Sequence, residues 1–207
     1  MRWPAALAAA CAAALSGTPP GAATVRFDDP GAFAAAVAGL GLVRDGFEAP
    51  VAGAAQIVLE SGVTARNLGG RRCCDDNSVA GGVYNNAVDG DAREASGAVL
   101  WSFPAPVIAA GFDYYVPREG ALRVAAAGEA WALHPEGGGA AGFLGLLAEA
   151  PFGTLRFSGT GTTSILFDID DLRFAPAPAP VPVPLPGGLA ALALALLAAA
   201  VAGRRRP

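Results

Sequence analysis

Short runs of strand-forming residues, separated by Gly, Pro and Asn, fill the chain between residues 24 and 175. The runs are rich in Val, Ile, Leu and aromatic residues, and their spacing is typical of antiparallel sheets with tight turns. One segment differs, because Asp29 and Pro30 precede an Ala-rich stretch that ends in glycines, which is the pattern of a short helix. Gly128 lies between two further runs and predicts a hairpin turn. We therefore expect a mainly β fold, a small antiparallel β-sandwich of jelly-roll type, with one short N-terminal helix.

The first 23 residues have the layout of a secretory signal peptide. Arg2 is followed by an apolar stretch and then by small and helix-breaking residues that end at Ala23. An uncleaved membrane anchor is one alternative, although the apolar stretch is short for a span, and a lipoprotein site at Cys11 is another. We expect export through the Sec translocon and cleavage by signal peptidase after Ala23.

The end of the chain combines a Pro-rich spacer, an apolar helix and an Arg cluster. The spacer covers residues 176–182 and is of the extended, polyproline-like kind. From Gly187 to Gly203 no side chain is charged or polar, and a helix over these residues would be about 25 Å long, which makes a marginal membrane span. The cluster of Arg204, Arg205 and Arg206 would hold its end on the cytoplasmic side. The sequence thus predicts a C-terminal transmembrane helix that attaches the chain to the membrane before processing.

This three-part arrangement over residues 183–207 resembles the PEP-CTERM class of bacterial sorting signals. The motif is similar to the variant written VPLPA, with Gly in place of Ala at the fifth position, and consists of Val183, Pro184, Leu185, Pro186 and Gly187. The resemblance implies cleavage by an exosortase-type enzyme and delivery to the cell surface or extracellular matrix. Domains joined to such tails resemble carbohydrate-binding jelly rolls, and the segments "GFE" and "GFDYYV" of this chain are similar to theirs, which supports the expected fold. We expect exopolysaccharide or another matrix component as the ligand.

The charge of the segment between the termini argues against one class of partner. All basic residues are arginines, and 10 of the 14 remain in the middle of the chain against all 18 acidic residues, a net charge of −8. Affinity for nucleic acid depends on clustered Lys and Arg, so we expect no nucleic-acid binding. An acidic domain suits an exported protein or one that recruits divalent cations.

Three aspartates near the end of the domain are candidate metal ligands. On a regular strand, Asp168 and Asp170 share one face and Asp171 points to the other. Paired carboxylates repel each other unless water solvates them or a cation bridges them. By resemblance to jelly-roll binding modules, Glu48 with Asp170 or Asp171 would hold a structural Ca²⁺ ion. A solvated sheet edge is the alternative.

The polar stretch over residues 71–91 predicts a long surface loop, the kind of segment in which sandwich domains often keep their binding residues. Its carboxylate and amide groups are candidate ligands for sugar hydroxyls or for a second cation. These candidates are Asp75, Asp76, Asn77, Asn85 and Asn86. A solvated loop without a ligand is equally consistent with this composition.

Cys73 and Cys74 lie next to each other in the same stretch. An oxidising compartment favours their pairing, but adjacent Cα atoms are about 3.8 Å apart, which is closer than in ordinary disulfides. A strained vicinal disulfide, crosslinks to another chain and free thiols are the three alternatives, of which we favour the first.

No catalytic motif stands out in the sequence. His134 is the sole histidine, and it precedes a Gly-rich turn without a recognisable nucleophile nearby. We therefore expect a non-catalytic binding module, with a secreted hydrolase or a structural protein assembling through the cysteines as the alternatives. The binding hypothesis predicts a shelf of exposed aromatic side chains drawn from Tyr84, Trp101, Tyr114, Tyr115 and Trp131.

Overall fold

The computed structural model describes residues 23–68, 77–88, 97–117, 121–133, 140–160 and 165–179. Within these residues the chain is mainly β, with one short helix, and all strand pairs are antiparallel, which confirms the predicted fold class at this level. The elements are β1 (Thr24–Phe27), α1 (Pro30–Ala36), β2 (Val43–Asp45), β3 (Val51–Ala54), β4 (Gln56–Val58), β5 (Thr64–Asn67), β6 (Asn77–Ala80), β7 (Val83–Val88), β8 (Val99–Val116), β9 (Ala121–Ala126), β10 (Glu129–Ala132), β11 (Ala140–Thr160) and β12 (Ile165–Pro176).

Two long strands, β8 and β11, organise the sheet. They pair with each other along most of their length, and each changes its second neighbour midway. The first part of β8 pairs with β5 and the later part with β12, while β11 pairs first with β1 and then with β9. Register shifts on both sides of Phe152 mark the change, and such irregularities bend a strand. The main strand order is β10-β9-β11-β8-β12-β7-β6-β3.

One face of the central strands supplies the main core, because alternate side chains of β7, β8, β11 and β12 point to the same side. The centre of this core is aromatic, with ring centroids between 4.9 and 6.2 Å apart. At such distances aromatic pairs stabilise a fold beyond the area they bury. The rings belong to Tyr84, Trp101, Phe112, Phe157 and Phe167.

The opposite side of β7, β12, β8 and β11, called the outer face below, is covered at one end by α1. Asp29 caps this helix by accepting a backbone hydrogen bond from its first turn at 2.6 Å, and Pro30 begins it, as the sequence predicts. Phe33 of the helix is fully buried over Gly111 of β8 and Gly145 of β11. A Cβ atom on these glycines would lie 2.9 and 2.5 Å from the Phe33 ring, so their lack of a side chain lets the helix sit on the sheet.

The structure differs from the sequence prediction between residues 77 and 88. The sequence predicts a long surface loop there, but β6 and β7 form a hairpin that turns at Gly81 and Gly82. Both glycines have positive φ, which suits the two-residue turns that match the twist of antiparallel strands. The hairpin expected near Gly128 is confirmed, since Ala127 and Gly128 connect β9 and β10 with positive φ.

The chain divides into two units, Met1–Ala177 and Pro178–Pro207. The strands and the helix given above belong to the first unit. Residues 1–22 of the predicted signal peptide and all residues of the predicted sorting signal, 183–207, lie outside the described residues. In the part of the chain that the structure describes, no helix is long and apolar enough to span a bilayer.

Candidate functional site

An open pocket of about 250 Å³ lies on the outer face, where β7, β12 and β8 run side by side. In the sheet register Asp168 stands opposite Tyr115, and Asp170 stands opposite Asp113. Side chains paired in this way across antiparallel strands are close neighbours. The pocket therefore brings three carboxylates and a phenol ring together. Its lining residues are Val83, Asp113, Tyr114, Tyr115, Asp168, Ile169 and Asp170.

Tyr115 supplies an accessible aromatic ring to this pocket, because its side chain is 43% exposed. Its neighbour Tyr114 is held differently, since its hydroxyl donates a hydrogen bond to the carbonyl of Leu133 at 2.7 Å and its ring packs against the main core. Partial burial raises the pKa of Tyr114. An exposed ring next to hydrogen-bonding groups is the usual composition of a ligand site.

Arg173 organises the carboxylates beside the pocket. Its guanidinium pairs with Asp171 and, at 3.3 Å, with Asp113. It also lies over the ring of Phe143, 5.4 Å from the ring centroid, and its side chain is only 11% exposed. Ion pairs and the cation–π contact together hold the guanidinium next to the pocket, whose lining does not include it.

A β-bulge in β12 sets the position of Asp171. Between the Asp170–Asp113 pair and the next pair, at Arg173, β12 holds one residue more than β8. Asp171 has φ 46°, which is uncommon for a residue other than glycine, and its N–H donates to the carboxylate of Asp170 at 2.7 Å. The prediction that Asp170 and Asp171 point to opposite faces is wrong, because Asp170 lines the pocket with Asp113 and the extra residue brings the Asp171 carboxylate to Arg173, which also pairs with Asp113.

Burial raises the pKa of two carboxyl groups in the pocket. For Asp168, desolvation is the cause. For Asp113, desolvation raises the pKa most, Arg173 opposes this, and the negative charges of the neighbouring aspartates add to it. Among the described residues the Asp168 carboxylate has no hydrogen-bond or ion-pair partner. A half-buried carboxylate without a donor is unfavourable, so a donor from a ligand would stabilise it.

Two of the predicted ligand-binding residues have a structural role instead. Asn77 and Asn86 are 0% and 3% exposed on β6 and β7, so the prediction that they lie in a surface loop is wrong. The Asn77 amide donates to the backbone carbonyls of Ala54 and Ala55, and the Asn86 amide donates to the Asn77 side chain at 2.7 Å. These bonds tie the β6–β7 hairpin to the strands that precede it.

The other predicted ligand residues are placed as follows. Asn85 lies half-buried on the outer face opposite Asp168, and its amide donates to the Val83 carbonyl at 3.0 Å. Asp75, Asp76, Cys73, Cys74 and His134 lie outside the described residues.

The aromatic shelf predicted from the sequence is reduced to one residue. Tyr84 and Trp101 are fully buried in the main core, so the prediction is wrong for both. Tyr114 and Trp131 are half-buried and pack against the same core. Of the five candidates, Tyr115 is the one that presents its ring to solvent.

The predicted calcium ligands are only partly free to bind an ion. Glu48 and Asp170 are exposed, but the carboxylate of Asp171 is engaged by Arg173. Among the described residues, no group of three or more His, Cys, Asp or Glu side chains is arranged to hold a metal ion. Calcium binding by Glu48, Asp170 and Asp171 stays a prediction, which a calcium titration followed by thermal unfolding would test.

The sequence reasoning missed Asp113, although a signal for it exists. In the segment "GFDYYV" the core residues Phe112 and Tyr114 alternate with Asp113 and Tyr115. A carboxylate at an outward position of an otherwise apolar strand indicates that this part of the outer face is solvated rather than covered.

No protein-family model matches the chain, and no curated protein matches it. Matching solved structures include the catalytic domain of a GH87 alpha-1,3-glucanase in complex with tetrasaccharides, with a TM-score of 0.33 and 11% identity over 70% of this chain and 30% of that chain. Another is the catalytic unit of a thermostable GH87 alpha-1,3-glucanase from Streptomyces thermodiastaticus strain HF3-3, with a TM-score of 0.30 and 14% identity over 81% of this chain and 28% of that chain. The chain thus spans less than a third of either structure, and TM-scores this low do not establish a shared fold.

Proposed function

We propose that this chain is an exported bacterial surface or matrix protein whose β domain binds polysaccharide, without catalysis, at the outer-face pocket. The observation that carries the proposal is the exposed ring of Tyr115 among the carboxylates of Asp113, Asp168 and Asp170. An aromatic ring offers an apolar surface to the C–H face of a sugar, and carboxylates accept hydrogen bonds from its hydroxyl groups. Exopolysaccharide or another matrix component is the proposed ligand.

The proposed architecture is a jelly-roll-like β-sandwich. The change of neighbours along β8 and β11 supports it, because strands that bend and switch partners can contribute to two packed layers. The large shared core of both strands is consistent with such layers.

The termini supply the proposed route to the surface. The Sec translocon and signal peptidase would act at the leader, and the apolar helix of the tail would then hold the chain in the membrane. An exosortase-type enzyme would cut near residues 183–187, after the Pro-rich spacer. The domain would then remain at the cell surface or in the extracellular matrix.

Retardation of the exported protein in native gels containing the host's exopolysaccharide tests the binding site. We expect Tyr115→Ala to weaken binding by about tenfold or more, because loss of an aromatic contact of this size costs about 1.5 kcal/mol or more. Val58→Ala is the matched control, since Val58 is an exposed apolar residue of β4 that does not line the pocket. Unchanged binding by Tyr115→Ala would rule out this pocket as the site.

The proposed processing has its own test. Intact mass and C-terminal peptides should be measured on protein recovered separately from membrane, cell surface and medium. We expect surface and medium protein to lack everything after roughly Pro186. Recovery of the protein in the membrane fraction alone, with a full tail ending in Arg204, Arg205, Arg206 and Pro207 and with no shortened form in any fraction, would contradict exosortase-type cleavage.

A further inference from the structure

The charges around the outer-face pocket are strongly unbalanced. Three of its lining residues are aspartates, and Asp171 lies directly beside them. No cationic side chain among the described residues lines the pocket. The guanidinium of Arg173, which lies beside the pocket, is already engaged by two carboxylates and by the Phe143 ring. Arg44 lies on β2 and pairs with Arg173 of β12. Because β2 and β8 flank β12 on opposite sides, Arg44 lies on the side of β12 away from Asp113.

Asp168 is the group in the pocket that most needs a donor. It is half-buried, burial raises the pKa of its carboxyl group, and it has no partner among the described residues. A ligand ammonium group would supply positive charge together with three N–H donors, whereas a sugar hydroxyl supplies one neutral donor. A hydroxyl and an ammonium group can both donate to the carboxylate, but only the ammonium group adds the attraction of opposite charges to the hydrogen bond.

An acidic sugar would bring a negative charge to the same carboxylates. A uronate carboxylate stacked on Tyr115 would approach Asp113, Asp168 and Asp170, and among the described residues no cationic side chain lines the pocket to separate the charges. Like charges brought together in a binding site repel each other and weaken binding. The pocket therefore disfavours acidic polymers.

Building on the proposed polysaccharide binding, we propose that the outer-face pocket selects polymers whose sugar units carry free amino groups over neutral and acidic polymers. The ring of Tyr115 takes the apolar face of the sugar. The carboxylates of Asp168 and Asp170 receive the ammonium group, and Arg173 keeps Asp113 and Asp171 in place beside them.

Calorimetric titration of the exported protein with four oligosaccharides of equal length tests the selection. The probes are oligomers of glucosamine, N-acetylglucosamine, glucose and galacturonate, measured in mildly acidic buffer of low ionic strength. We expect the glucosamine oligomer to bind about tenfold more tightly than either neutral oligomer, and the galacturonate oligomer to bind most weakly. Added salt should reduce the preference, because it screens the charges.

Charge-matched variants separate the pocket from general attraction to an acidic protein. Asp168→Asn and Asp170→Asn should each remove most of the preference for the glucosamine oligomer over the N-acetylglucosamine oligomer, because the ratio of the two affinities reports the charge even where loss of an acceptor weakens the binding of both. Glu129→Gln removes the same charge from β10, the far end of the strand order, and should keep the preference. Circular dichroism and thermal unfolding check that each variant folds.

The possible results lead to different conclusions. Equal affinity for the glucosamine and N-acetylglucosamine oligomers, with both lost in Tyr115→Ala, would overturn the selection and leave polysaccharide binding standing. A preference that Glu129→Gln reduces as much as Asp168→Asn does would also overturn it, because the attraction would then be general. Failure of all four oligomers and of the host polysaccharide to bind would overturn the proposed function itself.

Discussion

Replacing Gly145 by alanine places a methyl group in space that the Phe33 ring already fills. The new Cβ would lie 2.5 Å from Cδ2 and 2.8 Å from Cγ of Phe33, and 2.9 Å from Cε1 of Phe143. Favourable carbon–carbon contacts are about 3.5 to 4.0 Å, so one of the rings must move by roughly 1 Å. Phe33 is fully buried and also contacts Phe27, with ring centroids 5.8 Å apart. Movement of its ring therefore disturbs the packing of α1 on the sheet.

The expected cost lies between two limits. If the rings shift within the core, overpacking costs about 1 to 3 kcal/mol. If the Phe33 ring leaves its site, the loss of unfolding free energy approaches that of a buried Phe→Ala substitution, which is about 3 to 5 kcal/mol. We expect Gly145→Ala to lower the free energy of unfolding by about 2 to 4 kcal/mol, measured by urea denaturation with the slope compared between variants.

Two variants make this prediction sharp. Gly153→Ala lies on the same strand, and its Cβ would have no atom within 4 Å, so we expect a change of about 0.5 kcal/mol or less. In the Phe33→Ala background, Gly145→Ala should cost much less than it does alone, because the ring that it strikes is gone. A cost of Gly145→Ala below about 0.5 kcal/mol, or additive effects in the double mutant, would refute the reasoning.

Three further changes probe the buried polar groups and the pocket. Asp45→Asn should destabilise the fold by about 2 kcal/mol. The buried carboxylate accepts hydrogen bonds from two backbone N–H groups, including that of Ser61 at 2.9 Å, and an amide in its place would point its own N–H donors at one of these two groups. Chemical denaturation measures this, and a loss below about 0.5 kcal/mol would argue against it. Tyr84→Phe should lower the free energy of unfolding by about 1 to 2 kcal/mol, because the side-chain oxygen of Asn77 loses a buried hydrogen-bond donor at 2.5 Å. An unchanged denaturation midpoint would argue against this hydrogen bond stabilising the fold. Asp168→Asn should raise the unfolding temperature slightly at neutral pH. Burial raises the folded-state pKa of Asp168 above the unfolded value of about 3.9. Above the folded-state pKa the charged carboxylate therefore destabilises the fold. This destabilisation disappears as the pH falls below the folded-state and then the unfolded-state pKa. A lower unfolding temperature of this variant at neutral pH, or a difference that persists in acid, would contradict the assignment.

Local chemistry made parts of this structure predictable. Asp29 and Pro30 specify a helix start within a few residues, and the positive φ of Gly128 needs only its own lack of a side chain. The β6–β7 hairpin was equally local, since Gly81 and Gly82 separate two short strands. It was missed because the Asn-rich flanking residues are typical of loops, and asparagine has a low preference for strands.

The candidate site could be predicted only in part, because its residues are brought together by the pairing register of strands that are distant in sequence. Asp170 was recognised as a surface carboxylate, but its neighbours Asp113 and Tyr115 lie more than fifty residues earlier and meet it only through the pairing of β8 with β12. The face of Asp171 was predicted wrongly, because alternation assumes a regular strand and a bulge interrupts it.

The amino-acid sequence by itself determined the mainly β character, the short helix and the tight turns, since these depend on residues within a few positions of each other. Only the tertiary structure decided which polar residues are buried in the core and which line the outer-face pocket. Asn77 is buried because carbonyl groups more than twenty residues earlier satisfy its amide. Asp168 lies in a pocket because β7 and β8 pack on either side of it, and the energy of a polar group depends on the partners that folding brings to it.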